Sequence, residues 1–187
     1  MAEALLIIDF QNDFTPPDGA LAVPDGDRIA EPVNELAASP RFELVIATRD
    51  WHPPDHESFK ERGGVWPEHC VRDTHGAELH PALDREERVD VVLDKGQDPA
   101  TPGYSAFERP ELGRLLRERG IDALTIAGLA TDVCVRSTAL DALQGGYRVE
   151  IAGDATRGVD PAGSERALQE IRENGGRVAW AAASRTS

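Results

Sequence analysis

ALLIIDF, residues 4–10, is the stretch on which the fold turns. Side chains alternate across a strand, so five consecutive aliphatic residues, Ala4 to Ile8, leave neither face suited to water. A strand of this kind belongs in a parallel sheet covered on both sides. The run ends abruptly in Asp9, a carboxylate where the apolar pattern would continue. Five further runs repeat the theme: ELVIATRD from Glu43, VDVVLDKG from Val89, ALTIAGLA from Ala123, RVEIAGDA from Arg148 and RVAWAAA from Arg177.

Helix signals fall between most of these runs. RIAEPVNELAA places Ile29, Val33 and Leu36 on one face, with Pro32 expected to bend or shorten the helix. Pro110 opens a helix carrying Leu112, Leu115 and Leu116, and Gly120 stops it. Thr131 or Asp132 is expected to cap a helix running to Gly145, and Asp160 with Pro161 opens the last one, closed by Gly175 and Gly176. Alternating strand and helix with right-handed crossovers gives an α/β fold, a three-layer doubly wound sheet of about six mainly parallel strands with helices on both faces. Residues 1–187 are read as one domain, because the length suits one sizeable core and no linker or repeat interrupts it.

Residues 51 to 88 break the alternation as a long connection rich in proline and charge. Loops of that length inside a compact domain are usually functional or disordered. This one opens with DWHPPDH, residues 50–56, and continues to WPEHC, residues 66–70, with His75 beyond. Imidazole and carboxylate together suit a divalent first-row ion, and Zn, Fe or Mn are all admissible. Asp50 and His52 flank Trp51, so at an extended strand end both point to one side. His56 and His69 complete the nitrogen candidates; Cys70 could join only if its neighbour His69 turned away.

In a doubly wound sheet the ligand site lies beyond the carboxyl ends of the strands. That rule gathers Asp9, Asp50 and Lys95 from the ends of the first three runs and Cys134 just after the fourth. Lys95 is conspicuous, being one of only two lysines against eighteen arginines. Cys134 falls in the first turn of the expected helix, where free N–H groups favour a thiolate and could receive an oxyanion. A buried Asp9 needs a partner, and an ammonium both supplies one and lowers a neighbouring thiol's pKa. An Asp, Lys, Cys set is therefore favoured over a Cys–His dyad.

The net charge of −14 argues against nucleic acid and anionic membrane as partners, since both require a basic face. Two cysteines, and no apolar leader or run long enough to cross a bilayer, lead to the expectation of a cytoplasmic chain with free thiols.

Six ordered motifs carry a resemblance: DFQNDF containing Asp9, DWHPPDHESF, WPEHCV, DKG containing Lys95, YSAFE at Tyr104 and GLATDVCV containing Cys134. Over most of its length the chain resembles the nicotinamidases of the isochorismatase-like cysteine hydrolase family. The resemblance implies a triad of Asp9, Lys95 and Cys134, and one divalent metal held by Asp50, His52 and His69, with His56 matching a residue that lies at the metal in some members. It further implies a cis peptide between Leu129 and Ala130, an oxyanion hole from the N–H groups of Ala130 and Cys134, and a ring pocket of Phe14, Trp66 and Tyr104. The activity implied is hydrolysis of nicotinamide, a small-molecule substrate, through a cysteine thioester, in a possible homo-oligomer. Val133 stands where the family often has an aromatic or histidine. Alternatives are a related amide or isochorismate-type hydrolase, a metal-activated water hydrolase, and a noncatalytic metal-binding module.

Overall fold

A computed structural model describes residues 1–181. Six strands form one sheet: β1 (Ala2–Ile8), β2 (Leu44–Asp50), β3 (Val91–Lys95), β4 (Ile121–Leu129), β5 (Arg148–Arg157) and β6 (Arg177–Ala179). Their order is β3-β2-β1-β4-β5-β6 and every pairing is parallel, so the sheet has the doubly wound arrangement expected from the apolar runs. The last run is shorter than expected: the strand ends at Ala179, Trp180 is exposed, and residues 182 and 183 lie outside the described residues.

The alternation in β1 divides the core between the two faces. Leu6 and Ile8 pack with Leu112 and Leu116 of α3 (Pro110–Glu118), Ala139 and Ala142 of α4 (Arg136–Gln144), and Leu168 and Ile171 of α5 (Pro161–Glu173). Leu5 and Ile7 pack on the other face with Val33 of α1 (Ala30–Ala37), with Phe10 and Phe14, and with Leu79 and Leu83 of the long connection. That connection is therefore part of the core on this face. Its one α-helical stretch is a single turn, α2 (Arg85–Arg88).

Pro32 lies in the first turn of α1, where a backbone N–H has no intrahelical partner to lose; the α-helix begins only two residues before it, at Ala30, after a 3₁₀ turn over Gly26–Ile29. The expected helix cap is corrected. Thr131 and Asp132 do not cap the helix containing Cys134. The Thr131 hydroxyl pairs with that of Thr156 at 2.8 Å, and the Asp132 carboxylate accepts the N–H groups of Val159 (2.9 Å) and Asp160 (3.1 Å). Residues Thr131–Val135 wind instead as a wide π-helical turn leading into α4. Asp160 does cap α5, accepting the N–H of Gly163 at 2.7 Å.

Strand order reverses between β1 and β4, which opens a crevice at their carboxyl ends. Asp9 leaves β1 on one side of it and the Ala130–Cys134 turn leaves β4 on the other. Asp50 and Lys95 end β2 and β3 in register with one another.

Candidate active site and metal centre

Lys95 is wholly buried, and its Nζ is the hub of the site. It lies 2.8 Å from Asp9 Oδ2, 2.5 Å from Asp50 Oδ1, 2.6 Å from the Gly103 carbonyl and 3.7 Å from Cys134 Sγ. Carboxylate oxygens of Asp9 and Asp50 and the Cys134 sulfur all lie within 4.8 Å of one another. Such a trio could hold a metal by composition, but the ammonium of Lys95 already supplies the cation among them. Burial pulls the Lys95 pKa down, yet the two carboxylates outweigh it and hold the group charged, well above its ordinary value.

Asp9 is equally buried, with a left-handed φ of 47° where the chain turns off β1. Thr48 donates its hydroxyl to Asp9 Oδ1 at 2.7 Å. Oδ2 is ion-paired with Lys95 but accepts no well-aligned hydrogen bond among the described residues. It is thus a buried lone pair open to a proton. Burial raises the Asp9 pKa to about 6, against the pull of Lys95. Burial likewise pushes the Cys134 thiol well above its ordinary value, with Lys95 pulling the other way. Burial therefore outweighs the attraction of Lys95 and favours the thiol form of Cys134, so an adjacent base is needed to generate the thiolate.

The metal-ligand candidates form a second cluster on the other side of Asp50. Ligand atoms of Asp50, His52 and His69 lie within 4.8 Å of one another, and all three residues are buried. The donor set fits a divalent cation atom by atom. His52 Nδ1–H donates to the Gly96 carbonyl at 2.8 Å and His69 Nδ1–H to the Pro67 carbonyl at 2.7 Å, which turns both Nε2 atoms to the ligating role. Burial lowers the His69 pKa, favouring the neutral ring a metal needs. Burial acts the same way on His52, but contact with Asp50 prevails and raises it. For Asp50, the attraction of Lys95, His52 and His69 overcomes burial and holds the carboxyl well below the ordinary range.

His56 stands apart from this set. Its Nε2–H donates to the Thr101 carbonyl at 2.9 Å, and its Nδ1 accepts from Ser58, whose hydroxyl lies at 2.7 Å and N–H at 3.2 Å. With both nitrogens engaged, His56 has no lone pair for a cation. Its ring packs at a tilt against that of the candidate ligand His52, with the centroids 4.0 Å apart, and so buttresses that residue. Cys70 is fully buried; its N–H donates to Asp13 Oδ2 at 2.7 Å and its carbonyl receives the His52 N–H at 2.9 Å.

Between the two clusters lies a cavity. Cys134, Ala130, Asp50, His52 and His69 meet in its wall with Phe14, Trp66 and Tyr104, and the Trp66 indole N–H donates to the Tyr104 hydroxyl at 3.0 Å. Leu21, Val23, Pro102, Val133 and Val159 add aliphatic surface. The peptide between Leu129 and Ala130 is cis. Of the candidates singled out in the sequence, Asp50, His52, His69, Ala130, Cys134, Phe14, Trp66 and Tyr104 face this cavity and Asp9 and Lys95 contact side chains that do, whereas His56, Cys70 and the exposed His75 do not line it.

Several supporting residues carried no chemical label in the sequence. Thr48 orients Asp9, Asp13 anchors the backbone beside His69, and Glu108 accepts the Gly96 N–H at 3.0 Å. Gly96 has φ +65°, and a Cβ there would lie 2.4 Å from the His52 ring, so only glycine lets its carbonyl reach that imidazole. Gln11 is buried and hydrogen-bonded on both ends of its carboxamide. The polar residues inside the DFQNDF motif were the available signal for Gln11 and Asp13.

The isochorismatase domain family matches residues 3–183, and the chain belongs to that family. Among its relatives, the nicotinamidase of Escherichia coli (strain K12) is 42% identical over 197 residues, covering 92% of each protein. The crystal structure of the pyrazinamidase of Pyrococcus horikoshii in complex with zinc superposes with a TM-score of 0.88 at 44% identity, over 96% of this chain and 99% of that one. PnC1 from L. infantum in complex with nicotinate gives a TM-score of 0.92 at 35% identity, over 96% of this chain and 92% of that one.

Proposed function

We propose that the chain is a nicotinamidase, an amidohydrolase that converts nicotinamide to nicotinate and ammonia through a thioester on Cys134. The observation that carries the reading is the buried Lys95 ammonium lying 2.8 Å from Asp9 and 3.7 Å from the Cys134 sulfur, directly behind the cavity wall to which Cys134 belongs. Support also comes from the E. coli nicotinamidase at 42% identity and from the zinc and nicotinate complexes of the two structural neighbours.

In this reading Phe14, Trp66 and Tyr104 enclose the pyridine ring and exclude water from the amide. Asp9 is the general base: it removes the Cys134 proton as the sulfur attacks the carboxamide carbon, which is why a resting thiol is compatible with catalysis. Lys95 stays charged throughout and stabilises the forming thiolate. The tetrahedral oxyanion is received by the N–H groups of Ala130 and Cys134, a contribution of roughly 3–4 kcal/mol per donor. Asp9 then returns its proton to the departing nitrogen, the C–N bond breaks, and ammonia leaves a thioester. Water deprotonated by Asp9 attacks that thioester, the C–S bond breaks, and the proton returns to sulfur.

A divalent metal held by Asp50, His52 and His69 would supply a Lewis-acidic contact for the pyridine nitrogen and thereby orient the amide over the sulfur. His56 buttresses His52 in this arrangement. A small neutral amide is the substrate; no helix among the described residues is long and apolar enough to cross a membrane.

The test is ammonia release from nicotinamide by wild type and Cys134→Ala, each after metal removal and zinc readdition. The thioester mechanism requires a loss of about 10⁴-fold or more in Cys134→Ala that zinc does not rescue. Retention of most activity by Cys134→Ala, with strict dependence on zinc, would assign the chemistry to metal-activated water instead.

A further inference from the structure

Strand β1 ends at Ile8, and the left-handed turn at Asp9 carries the chain away from the sheet. Its neighbour β2 runs on to Asp50. On its β3 side Asp50 is in register with Lys95, but on the β1 side its peptide groups have outrun their partner strand. A side chain fills that place. The Gln11 carboxamide accepts the Asp50 N–H on Oε1 at 2.8 Å and donates from Nε2 to the Asp50 carbonyl at 2.8 Å. It thus supplies the donor and acceptor that another residue of β1 would have offered. The same Nε2 donates to the Ala77 carbonyl at 2.8 Å, tying the long connection to the strand end.

We infer that Gln11 is a positioning residue for the metal centre: its carboxamide substitutes for a missing strand residue and fixes the direction in which Asp50 presents its carboxylate. The inference rests on the reading of Asp50, His52 and His69 as metal ligands. The direction matters because Asp50 serves two partners at once. Oδ1 is 2.5 Å from Lys95 Nζ, while Oδ2 faces His52 Nε2 at 3.4 Å. A rotation of the Asp50 backbone would withdraw Oδ2 from the two imidazoles or Oδ1 from the ammonium. The hydrogen bonds of the Gln11 side chain all go to backbone groups, of Asp50 and Ala77, and none to a side chain of either cluster. The connection it ties down also bears His69, so a single amide constrains two segments that supply ligands.

The experiment compares wild type, Gln11→Glu and Gln11→Met, each stripped of metal, by titration with zinc against a competing chelator, and follows thermal unfolding of the same samples. Gln11→Glu keeps the acceptor toward the Asp50 N–H but removes both donors, leaving two buried carbonyls facing an oxygen. Gln11→Met removes every hydrogen bond without adding charge, and so reports where the glutamate does not fold. Val33→Ala, a core truncation in α1, serves as the control for lost stability alone. Removing a group that orients a ligand costs about 10- to 100-fold in metal affinity. Both Gln11 variants are expected in that range, with activity recovering as zinc is raised, and Val33→Ala is expected to bind zinc as wild type does. Wild-type zinc affinity in folded Gln11→Glu or Gln11→Met, or an equal loss in Val33→Ala, overturns the role. Failure of wild type itself to bind zinc overturns the metal reading beneath it, a distinct result.

Discussion

The sheet carries a cation between two carboxylates at each of its ends, and the two clusters behave in opposite ways. At the carboxyl end Lys95 lies between Asp9 and Asp50, with Thr48 donating to Asp9. At the amino end Arg41 lies between Glu3 (2.7 Å) and Glu150 (2.9 Å), with Thr125 donating to Glu3 at 2.8 Å. Composition and geometry are nearly matched; solvent is not. The Lys95 and Asp9 side chains are 0% exposed, whereas Arg41 is 45% exposed. Nearer water, burial is still the largest single influence on Glu3, but the hydrogen bonds from Arg41 and Thr125 and the charges of Arg41 and Arg148 together prevail, and the carboxyl sits below its ordinary pKa. In the interior burial prevails and Asp9 rises to about 6 in spite of a full ion pair. Pairing near water makes a structural clasp, whereas at Asp9 burial, joined by the charge of Asp50, turns a paired carboxylate into a base that can exchange a proton near neutral pH.

Removing the cation at each end should separate the two most widely. Lys95→Met leaves two carboxylates buried without a counter-charge, so a loss of about 3–5 kcal/mol in stability is expected together with abolished amide hydrolysis. Denaturant unfolding and ammonia release would register both. A folded, active Lys95→Met enzyme would show that the interior cluster is no more than the surface one.

The acid limb of activity sharpens the contrast. As the base, Asp9 must be ionised, so kcat/KM should fall as pH drops through about 6. The stability contribution of this group has the opposite sign. Its folded pKa is above the unfolded value, so the folded state binds the proton more tightly, and Asp9 protonation favours folding as pH falls from 6 toward 4. Activity should therefore disappear between pH 6 and 5 while circular dichroism still reports a folded chain. Unfolding that tracks the activity loss would place the limb elsewhere.

Thr48→Val tests the same base by a smaller step. It deletes the 2.7 Å hydrogen bond to Asp9 Oδ1 at nearly constant volume. Hydrogen bonds to charged groups contribute about 1.5–3 kcal/mol, and each 1.36 kcal/mol is one pKa unit, so the acid limb should move up by about one unit or more. Measured above pH 8, most activity should return. A uniform loss at every pH would mean that Thr48 shapes the site and does not tune Asp9.

How far these clusters could be read in advance follows the same division between backbone and environment. The aliphatic runs gave away the sheet because burial on both faces leaves no alternation, and each chemical residue stood out by ending such a run. Lys95 was conspicuous as a lysine among arginines. What stayed hidden depends on contacts between distant segments. Nothing local in DFQNDF or in the last residues of β2 tells that Gln11 completes the edge of Asp50. The engagement of both His56 nitrogens involves Ser58 and the carbonyl of Thr101, 45 residues on, and could not be foreseen from DWHPPDH. The helix cap at Thr131 was misjudged for a related reason: Thr156 and the Val159–Asp160 backbone, on a different strand end, compete for the two side chains. The balance of desolvation against attraction at Cys134 likewise needs the full enclosure, which no spacing of residues reports.

The smallest effect is expected at the amino end, and it is the one that fixes the scale for the others. Arg41→Met leaves Glu3 and Glu150 together, but Thr125 still donates to Glu3, and Arg177 remains 3.4 Å from Glu150. Solvent reaches the cluster, so the loss should stay within about 1 kcal/mol and catalysis should be unchanged. Its pH dependence is opposite to that at Asp9. Glu3 has a folded pKa below its unfolded value, so its contribution is present at neutral pH and fades as pH falls through the carboxylate range. The melting-temperature difference between wild type and Arg41→Met should therefore be largest near pH 7, shrink toward pH 4, and diminish with added salt. A difference as large as that of Lys95→Met, or one that grows on acidification, would mean that desolvation does not distinguish the two ends, and the assignment of Asp9 as the base would lose its physical ground.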